Sequence, residues 1–316
     1  MNTSAPRLRA HAQPFVRNDG TIQFGLESGE GMRLAGLTEA EVAWVVDIAA
    51  GGPSTQPRIA PDREHAILSL LGDAGLVAGD YEPDAPGRRR FAGLHLDREA
   101  RSAGPPDAHG SAYAAVLARP RATVWVLGRG EPAATLSDVL RQAGVGHVVR
   151  APDTAGTPEP PPRRAPQLVI LIRASPPSKA HGRPWRARGI PLLPVTVTAT
   201  HASVGPLIEP EGAPCLHCLD LVRAELDPSW WLLRAQARDT DETVCRSPEV
   251  EVALGTLVAG LVARVALAHL DGLPIEPGLA LDLTLPWPEL TQRRWPRHPD
   301  CECGVPRSTA AGTMAG

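Results

Sequence analysis

Four of the five cysteines fall into two close pairs, and this spacing is typical of metal binding. Cys215 and Cys218 form a C-x-x-C pair, whereas Cys301 and Cys303 form a C-x-C pair much further along the chain. Each pair lets two thiolates from one turn reach the same ion, and four thiolates complete the closed tetrahedron of a structural site. The sequence therefore predicts one structural Zn²⁺ bound by these four cysteines, with no open position for catalysis.

A redox pair beside unrelated buried thiols is the alternative interpretation of the same cysteines. Pro214 and Pro299 place the two pairs in turns, and the first pair does not follow a strand as a thioredoxin-type motif would. Both observations favour the metal. Cys245 is left over and is expected to be a semi-buried small residue, and we expect His217 and His298 to lie near the pairs without being ligands.

Gly128 and Gly130 follow an apolar run and precede a helical one, as in loops that cradle a phosphate group. Ala133 stands where the third glycine of such a loop would be, and its small side chain still permits close contact between helix and strand. Glu131 adds negative charge, and Pro132 removes an N–H donor from the place where phosphate would lie. We therefore expect a degenerate nucleotide loop, which disfavours ATP and Mg²⁺ as cofactors.

Neither of the next two predicted strands ends in an acid that a nucleotide site would need. The second strand ends at Arg150, and the nearest carboxylate that could hold a ribose is Asp153. The third strand ends at Arg173 instead of an acid for Mg²⁺, and Lys179, the chain's only lysine, lies in the loop beyond it. The sequence therefore predicts no catalytic residue.

Composition indicates a globular protein and disfavours two classes of partner. The chain has 316 residues, 43% of them hydrophobic, which is enough for about two domains, and its net charge of −3 gives no basic field for nucleic acid. The first residues lack the apolar core of a signal peptide. The most apolar stretch, residues 250–270, contains charged and small residues, which indicates a buried helix and not a membrane span. We expect a cytoplasmic protein without a membrane partner.

The order of the predicted elements divides the chain into four segments. Residues 1–81 are predicted as strand, helix, helix and a final apolar pair, the order of a small winged-helix-like α+β module. Residues 82–120 form a linker and a lead-in helix. Residues 121–304 alternate strands with helices, which predicts an α/β domain with a Rossmann-like, mostly parallel sheet. Residues 305–316 are small and polar, and we expect a disordered tail.

Local signals predict several element boundaries. The alternation over residues 22–26, which includes Leu26, predicts a strand. Residues 38–41 match a capping box at the start of a helix, and Ser247 is predicted to cap a long helix over residues 249–270.

Two adjacent tryptophans, Trp230 and Trp231, follow a predicted helix start with Asp227 as its acidic cap. We interpret the tryptophans as core packing or as an oligomer contact before ligand stacking, because aromatic residues are enriched at interfaces.

The second half of the chain resembles the ThiF-like superfamily, the relatives of ubiquitin-activating enzymes and of sulfur-carrier adenylyltransferases. The resemblance rests on the segments VWVLGRG…LRQAGVGHVV, VGPLIEPEGAPCLHCLDLVRAELDPSW, PEVEVALGTLVAGLVARVALAHLDG and HPDCECG. It covers residues 120–305 and, less completely, the first 80. Within the superfamily it is greatest to the cyclodehydratase and leader-peptide-binding proteins of azole-containing ribosomal peptide biosynthesis.

The resemblance implies a Rossmann-like fold whose four cysteines are zinc ligands, a winged-helix module that recognises a leader peptide, and a homodimer formed through the α/β domain. It places Gly128 and Gly130 on the nucleotide loop. Arg150 and Arg173 stand where catalytic relatives carry acids, and Cys245 lies in the region where some relatives carry a catalytic cysteine. The C-x-C pair stands where many relatives have C-x-x-C.

Three functions stay open from the sequence. The preferred one is a non-catalytic, zinc-stabilised scaffold, a pseudoenzyme whose residues 1–81 bind a peptide or protein partner. The first alternative is an active ATP-dependent adenylyltransferase that activates a peptide or carrier-protein carboxylate. The second is a DNA-binding regulator that uses the winged-helix module, although its second helix offers only Arg63 and His65 as basic groups.

Overall fold

The chain of the computed structural model divides into two units, Met1–Leu117 and Ala118–Gly316. The structure describes residues 8, 12–26, 32–50, 59–74, 76–77, 99, 109–152, 165–243 and 250–304. Asp153, Cys245, Ser247 and the predicted tail 305–316 lie outside these residues.

The first unit contains a small antiparallel sheet followed by two helices. Its elements are β1 (Pro14–Val16), β2 (Ile22–Phe24), β3 (Met32–Leu34), α1 (Glu39–Ala50) and α2 (Pro61–Asp73). The strands pair in the order β1-β2-β3. Ile22 in the central strand packs with Val45 of α1 and Leu71 of α2 in a core of fully buried side chains.

The predicted capping box at the start of α1 is confirmed. The backbone N–H of Thr38 donates to the Glu41 carboxylate at 2.7 Å, and the N–H of Glu41 donates to the Thr38 hydroxyl at 3.3 Å. The same carboxylate accepts from Arg63 of α2 at 2.6 Å, and this bond lowers the pKa of Glu41 to about 2. Leu26 does not continue the predicted alternation: β2 ends at Phe24, and the Leu26 side chain is exposed.

The second unit is built on a sheet of seven strands in the order β10-β9-β8-β7-β6-β4-β5. The strands are β4 (Thr123–Leu127), β5 (His147–Ala151), β6 (Leu168–Arg173), β7 (Leu192–Val197), β8 (His201–Val204), β9 (Leu279–Thr284) and β10 (Glu289–Arg294). Strands β5, β4, β6 and β7 are parallel neighbours, which confirms the predicted mostly parallel sheet. Strands β8, β9 and β10 extend it by antiparallel pairing.

Helices cover both faces of this sheet. Helix α3 (His109–Ala118) ends where the second unit begins, and the helices described within this unit are α4 (Glu131–Gln142), α5 (Lys179–Ala187), α6 (Leu216–Leu226), α7 (Trp230–Thr243) and α8 (Val252–Leu270). Leu136 of α4 and Val258 of α8 pack on one face, whereas Trp185 of α5 and Leu219 of α6 pack on the other. Because β6 is covered on both faces, its first five residues are all buried, as parallel sheets require.

Helix α8 is long and apolar enough to cross a membrane by length and composition alone. Its inner face, which includes Leu254, Val262 and Ala266, is buried in the core of the sheet, as expected of a core helix. The prediction that Ser247 caps this helix is wrong. Glu251 occupies the cap position in an extended conformation, with ψ near 141°, so the helix begins only at Val252.

A buried ion pair fixes the start of the second unit to the end of α8. The Arg119 guanidinium donates to both carboxylate oxygens of Asp271, at 2.8 and 2.6 Å, and both side chains are fully buried. A third N–H of Arg119 donates to the Ala143 carbonyl at 2.9 Å, just after α4. One side chain thus joins three elements that are distant in sequence.

Replacing Arg119 by methionine should lower the free energy of unfolding by about 3–5 kcal/mol, because the Asp271 carboxylate stays buried without its partner. Urea unfolding followed by circular dichroism measures the loss. Arg121→Met, at an exposed neighbouring position, is the control and should stay within about 0.5 kcal/mol of the parent chain. Adding Asp271→Leu to the first variant should recover most of the loss. A loss below about 1 kcal/mol in the single variant would contradict this role for the pair.

Candidate functional site

The structure brings the four predicted cysteine ligands together. Cys215 is the cap residue of α6 and Cys218 lies in its first turn, whereas Cys301 and Cys303 lie in the loop after β10. The sulfur atoms are 3.8 Å apart for Cys215 and Cys218, 3.6 Å for Cys215 and Cys301, and 3.4 Å for Cys218 and Cys303. All four sulfur atoms lie within 4.8 Å of one another.

These distances fit a tetrahedral metal centre. A Zn–S bond of about 2.3 Å places the sulfur atoms of a tetrahedron about 3.8 Å apart, close to the separations observed. Cys218 and Cys301 are buried, whereas Cys215 and Cys303 are half-buried, so a bound ion would be largely shielded from water. The cluster could therefore hold a metal ion with all four positions filled by protein.

Hydrogen bonds and burial move the pKa values of the clustered thiols apart. The hydrogen bond shared with Cys218 lowers the pKa of Cys215 to about 4, and the same contact raises the pKa of Cys218. Burial raises the pKa of Cys301 to about 11. The Cys215 thiolate is thus stabilised by hydrogen bonds from neighbouring thiols. A bound metal cation would allow all four thiols to lose their protons together.

A hydrogen-bonded loop orients the second cysteine pair. The buried His298 ring accepts from the backbone N–H of Asp300 at 3.1 Å through Nδ1, so its Nε2 donates to Glu225 of α6 at 2.8 Å. The backbone N–H of Cys301 donates to the His298 carbonyl at 3.1 Å. Both ring nitrogens of His298 are thereby occupied, and the histidine joins the loop to α6 as a supporting residue beside the cluster.

A cavity of about 220 Å³ lies beside the cysteine cluster. Three of the cysteines line it, together with residues of α5 and of the start of α6. Its lining residues are Lys179, Gly182, Arg183, Arg186, Ile208, Cys215, Leu216, His217, Cys301, Glu302 and Cys303. The chain's only lysine therefore lines the cavity beside the cysteine cluster.

The predicted glycine loop sits at the carboxyl end of β4, where β4 and β6 are neighbours. Gly128 (φ +151°) and Gly130 (φ +85°) both have backbone conformations that favour glycine. A Cβ at Gly128 would lie 2.8 Å from the carbonyl oxygen of Ile172 in β6, so packing alone requires glycine there. Ala133 is fully buried against the sheet, as predicted for the third position of the motif.

The ends of β5 and β6 carry arginines beside this loop. Arg150 is the fourth residue of β5 and is exposed, and Arg173 is the last residue of β6 and is half-buried. Lys179 begins α5 and lines the cavity at the cysteines. The acids expected of a metal-dependent nucleotide site are thus replaced by cations at both strand ends that the structure describes.

A ladder of arginine and tryptophan side chains is the feature that sequence reasoning missed. Arg223 of α6 lies between two indoles, 5.1 Å from the ring centre of Trp230 and 4.7 Å from that of Trp295. Arg234 and Arg293 extend the ladder at its two ends. The guanidinium carbon of Arg234 lies 5.8 Å from the ring centre of Trp230, and that of Arg293 lies 5.4 Å from the ring centre of Trp295. The ladder joins α6 and α7 to the segment that leads from β10 to the cysteines.

Two buried acids accompany the ladder. Asp220 lies 3.7 Å from Arg223 and 3.8 Å from Arg234, and its burial raises its pKa. Asp282 of β9 pairs with Arg293 at 2.8 Å. Burial also lowers the pKa of Arg223 to about 10. The only signal in the sequence was Trp230 of the tryptophan pair, because Arg293 and Trp295, which complete the ladder, lie far from it along the chain.

The two predicted tryptophans have different surroundings. Trp230 is half-buried in the ladder, whereas Trp231 is exposed. The ring centre of Trp231 lies 6.3 Å from that of His217. The predicted helix start is displaced: Asp227 forms a turn by accepting from the Ser229 N–H at 2.9 Å, and α7 begins only at Trp230.

Comparison with solved structures identifies the fold. E. coli MccB with succinimide matches with a TM-score of 0.64 at 13% identity, over 96% of this chain and 99% of that chain. A heterocyclase in complex with substrate and cofactor matches with a TM-score of 0.63 at 13% identity, over 95% of this chain and 39% of that chain. The heterocyclase TruD matches with a TM-score of 0.59 at 16% identity, over 95% of this chain and 43% of that chain.

The chain thus spans nearly all of MccB but less than half of the heterocyclase chains. Among the MccB structures are one with ATP and one with MccA-N7isoASN. No protein-family model and no curated protein sequence matches the chain. At these identities the likeness establishes the fold. The predicted resemblance is confirmed at the level of the fold, which the chain shares with MccB and TruD.

Proposed function

We propose that this protein is a zinc-stabilised, non-catalytic scaffold that binds a peptide or protein partner through its first unit. The observation that carries the proposal is the contrast between two places in the second unit. The cysteine cluster has a complete set of metal ligands, whereas arginines stand at the strand ends where a nucleotide site needs acids. The fold is kept by its metal centre, and the nucleotide chemistry is lost.

Zinc is the metal that this donor set favours. Thiolate ligands select Zn²⁺, Cu⁺ or iron–sulfur clusters, and four thiolates at tetrahedral spacing favour a closed zinc site. Cys215, Cys218, Cys301 and Cys303 would hold the ion. The ion would supply folding free energy by joining α6 to the loop after β10, and no position would be left for a substrate.

The purified protein should contain one zinc per chain by mass spectrometry of metals, and Cys218→Ser should lose it. The variant should unfold at a lower urea concentration, because structural zinc contributes about 10 kcal/mol or more of binding free energy in model peptides. Cys245→Ser is the matched control and should keep the zinc and the parent stability. Full zinc occupancy in Cys218→Ser would contradict the assignment of the ligands.

An ATP-dependent adenylyltransferase is the second candidate, and the specific observation in its favour is the fold shared with MccB, for which a structure with ATP exists. Calorimetry of the zinc-loaded protein with ATP and Mg²⁺ separates the two functions. We expect no detectable binding, because Arg150 and Arg173 provide no carboxylate for ribose or Mg²⁺. Micromolar affinity would favour the adenylyltransferase and would contradict the non-catalytic scaffold.

Recognition of a peptide by strand addition fits the first unit. Within the described part of the chain, β3 pairs with β2 on one side only, and α1 packs near β1 at the opposite edge. The outer edge of β3 therefore offers backbone N–H and C=O groups to an extended peptide. Arg33 is exposed on this strand, and its neighbour Leu34 is buried in the core, so the strand is anchored while its edge is accessible.

The DNA-binding alternative loses its main support in the structure. Arg63, one of two basic groups on α2, lies in an ion pair with Glu41 at 2.6 Å. His65 is then the only basic side chain that α2 can direct to a phosphate without breaking that ion pair. A helix that binds in a DNA groove needs several phosphate contacts, so α2 does not support DNA binding.

A homodimer in the cytoplasm completes the proposal. Its support is the outer face of α8, where Val252 and Leu257 are exposed beside Gly260, and where Arg264 is the only charged side chain. A helix that is apolar on all sides is usually covered by another element, and in the proposed homodimer that element belongs to a second copy of the chain.

Peptides selected from a random library on the immobilised protein should bind without ATP and should crosslink to a photoreactive benzoylphenylalanine placed at Arg33. The same residue placed at exposed Arg121 of the second unit is the control and should not crosslink. Mass spectrometry of the crosslinked product measures both. Crosslinking at position 121 and not at position 33 would contradict recognition by β3.

A further inference from the structure

We propose that the basic face of α5 is the counter-charge of the metal–thiolate cluster. This face consists of Lys179, Arg183 and Arg186. The inference rests on the zinc ion of the proposed function and goes beyond it, because it assigns an electrostatic role to three residues that are not ligands.

The three cations share one side of α5 because they are four and then three residues apart. All three line the cavity that Cys215, Cys301 and Cys303 also line. Like charges at this spacing repel one another on a helix, and a nearby negative charge offsets that repulsion. Among the described residues, neither Lys179 nor Arg183 forms an ion pair, and Glu302 is the only carboxylate in the cavity wall.

The metal cluster supplies the missing negative charge. Zn²⁺ with four thiolates carries a net charge of −2, and two of the cysteines are buried. Charge held away from water is costly unless an opposite charge lies close to it. The basic face provides that charge across the cavity, so cluster and helix stabilise one another.

Arg186 acts through a direct contact. It is half-buried, and its Nη2 donates to the carbonyl of Cys303 at 2.9 Å, which joins α5 to the loop of the second cysteine pair. Arg297 donates to the same carbonyl at 3.2 Å. Lys179 and Arg183 are exposed and make no such contact with Cys303. Their positive charges therefore act on the cluster only through the electric field across the cavity.

A glycine allows α5 to pack closely against the start of α6. A Cβ at Gly182 would lie 3.0 Å from Cδ1 of Leu216, the residue that follows Cys215. The absence of a side chain at Gly182 therefore lets α5 approach the start of α6, where the first cysteine pair lies.

A binding site for an anionic ligand is the competing explanation of the same cavity. The three positive charges equal the sum of the cluster dianion and the Glu302 carboxylate. No positive charge remains for a ligand once zinc is bound. The two explanations therefore differ in how phosphate should affect the zinc-loaded protein.

The test is the equilibrium affinity for zinc, measured by competition with a chromogenic chelator on the full chain. The first measurement is the zinc content of the parent chain, since a chain without zinc would remove the proposed metal and this inference with it. If zinc is present, Arg186→Met should weaken zinc binding about 10–100-fold, the usual effect of losing a group that orients a ligand. Arg186→Lys, which keeps the charge and a donor, should restore part of the affinity.

The double variant Lys179→Met/Arg183→Met isolates the electrostatic contribution of these two charges to zinc affinity from the direct contact made by Arg186. We expect several-fold weaker zinc binding at low salt and no difference from the parent in 1 M NaCl, where the Debye length is about 3 Å. Lys179→Arg/Arg183→Lys should behave as the parent. Arg188→Met is the matched control on the same segment, because Arg188 is exposed and does not line the cavity.

Two further results separate electrostatics from misfolding and from an anion site. The visible spectrum of the Co²⁺-substituted double variant should keep the bands of tetrahedral thiolate coordination. Phosphate and chloride at equal ionic strength should change the zinc affinity equally. Parent-like affinity of the double variant at low salt would overturn the inference with zinc still bound, and so would an effect of phosphate beyond that of chloride.

Discussion

Closure of the chain at the cysteine cluster is the constraint on which the second unit depends. Cys215 and Cys301 are 86 residues apart, and α7, α8, β9 and β10 all lie between the two cysteine pairs. Closing so long a loop costs only a few kcal/mol, because the cost rises slowly with loop length. A metal bound by four thiolates contributes more than that. One centre can therefore hold α6, the antiparallel end of the sheet and the loop after β10 in a single arrangement.

Two centres with different chemistry share this fold, and they lie in different parts of it. The glycine loop is at the carboxyl ends of the parallel strands, where α/β folds bind ligands. The cysteine cluster lies at α5 and α6, which cover one face of the sheet. Because the four cysteines that could hold a metal lie apart from the loop, the support they can give to the architecture does not depend on which residues stand at the strand ends. Fold and activity are separable for this reason, and the function has to be argued from each site.

The sequence was informative wherever a signal was local. The cysteine spacing, the capping box at Thr38 and Glu41, and the apolar run of β6 each depend on neighbours within one element, and each is found in the structure. Signals that depend on distant partners were missed. The arginine–tryptophan ladder needs α6, α7 and the segment after β10 to come together. The antiparallel strands β8 to β10 are similarly specified by pairing and not by their own composition.

The contact between Gly128 and Ile172 has a consequence for how such chains are interpreted in genomes. The carbonyl oxygen of Ile172 occupies the space of a Cβ at Gly128, so a substitution there is selected against by packing even in a lineage that no longer uses a nucleotide. A surviving glycine motif then reports descent from a shared backbone geometry and carries little information about present activity. The residues at the strand ends, such as Arg150 and Arg173, are not fixed by this contact. Their identities therefore carry more information about a nucleotide site than the glycines do.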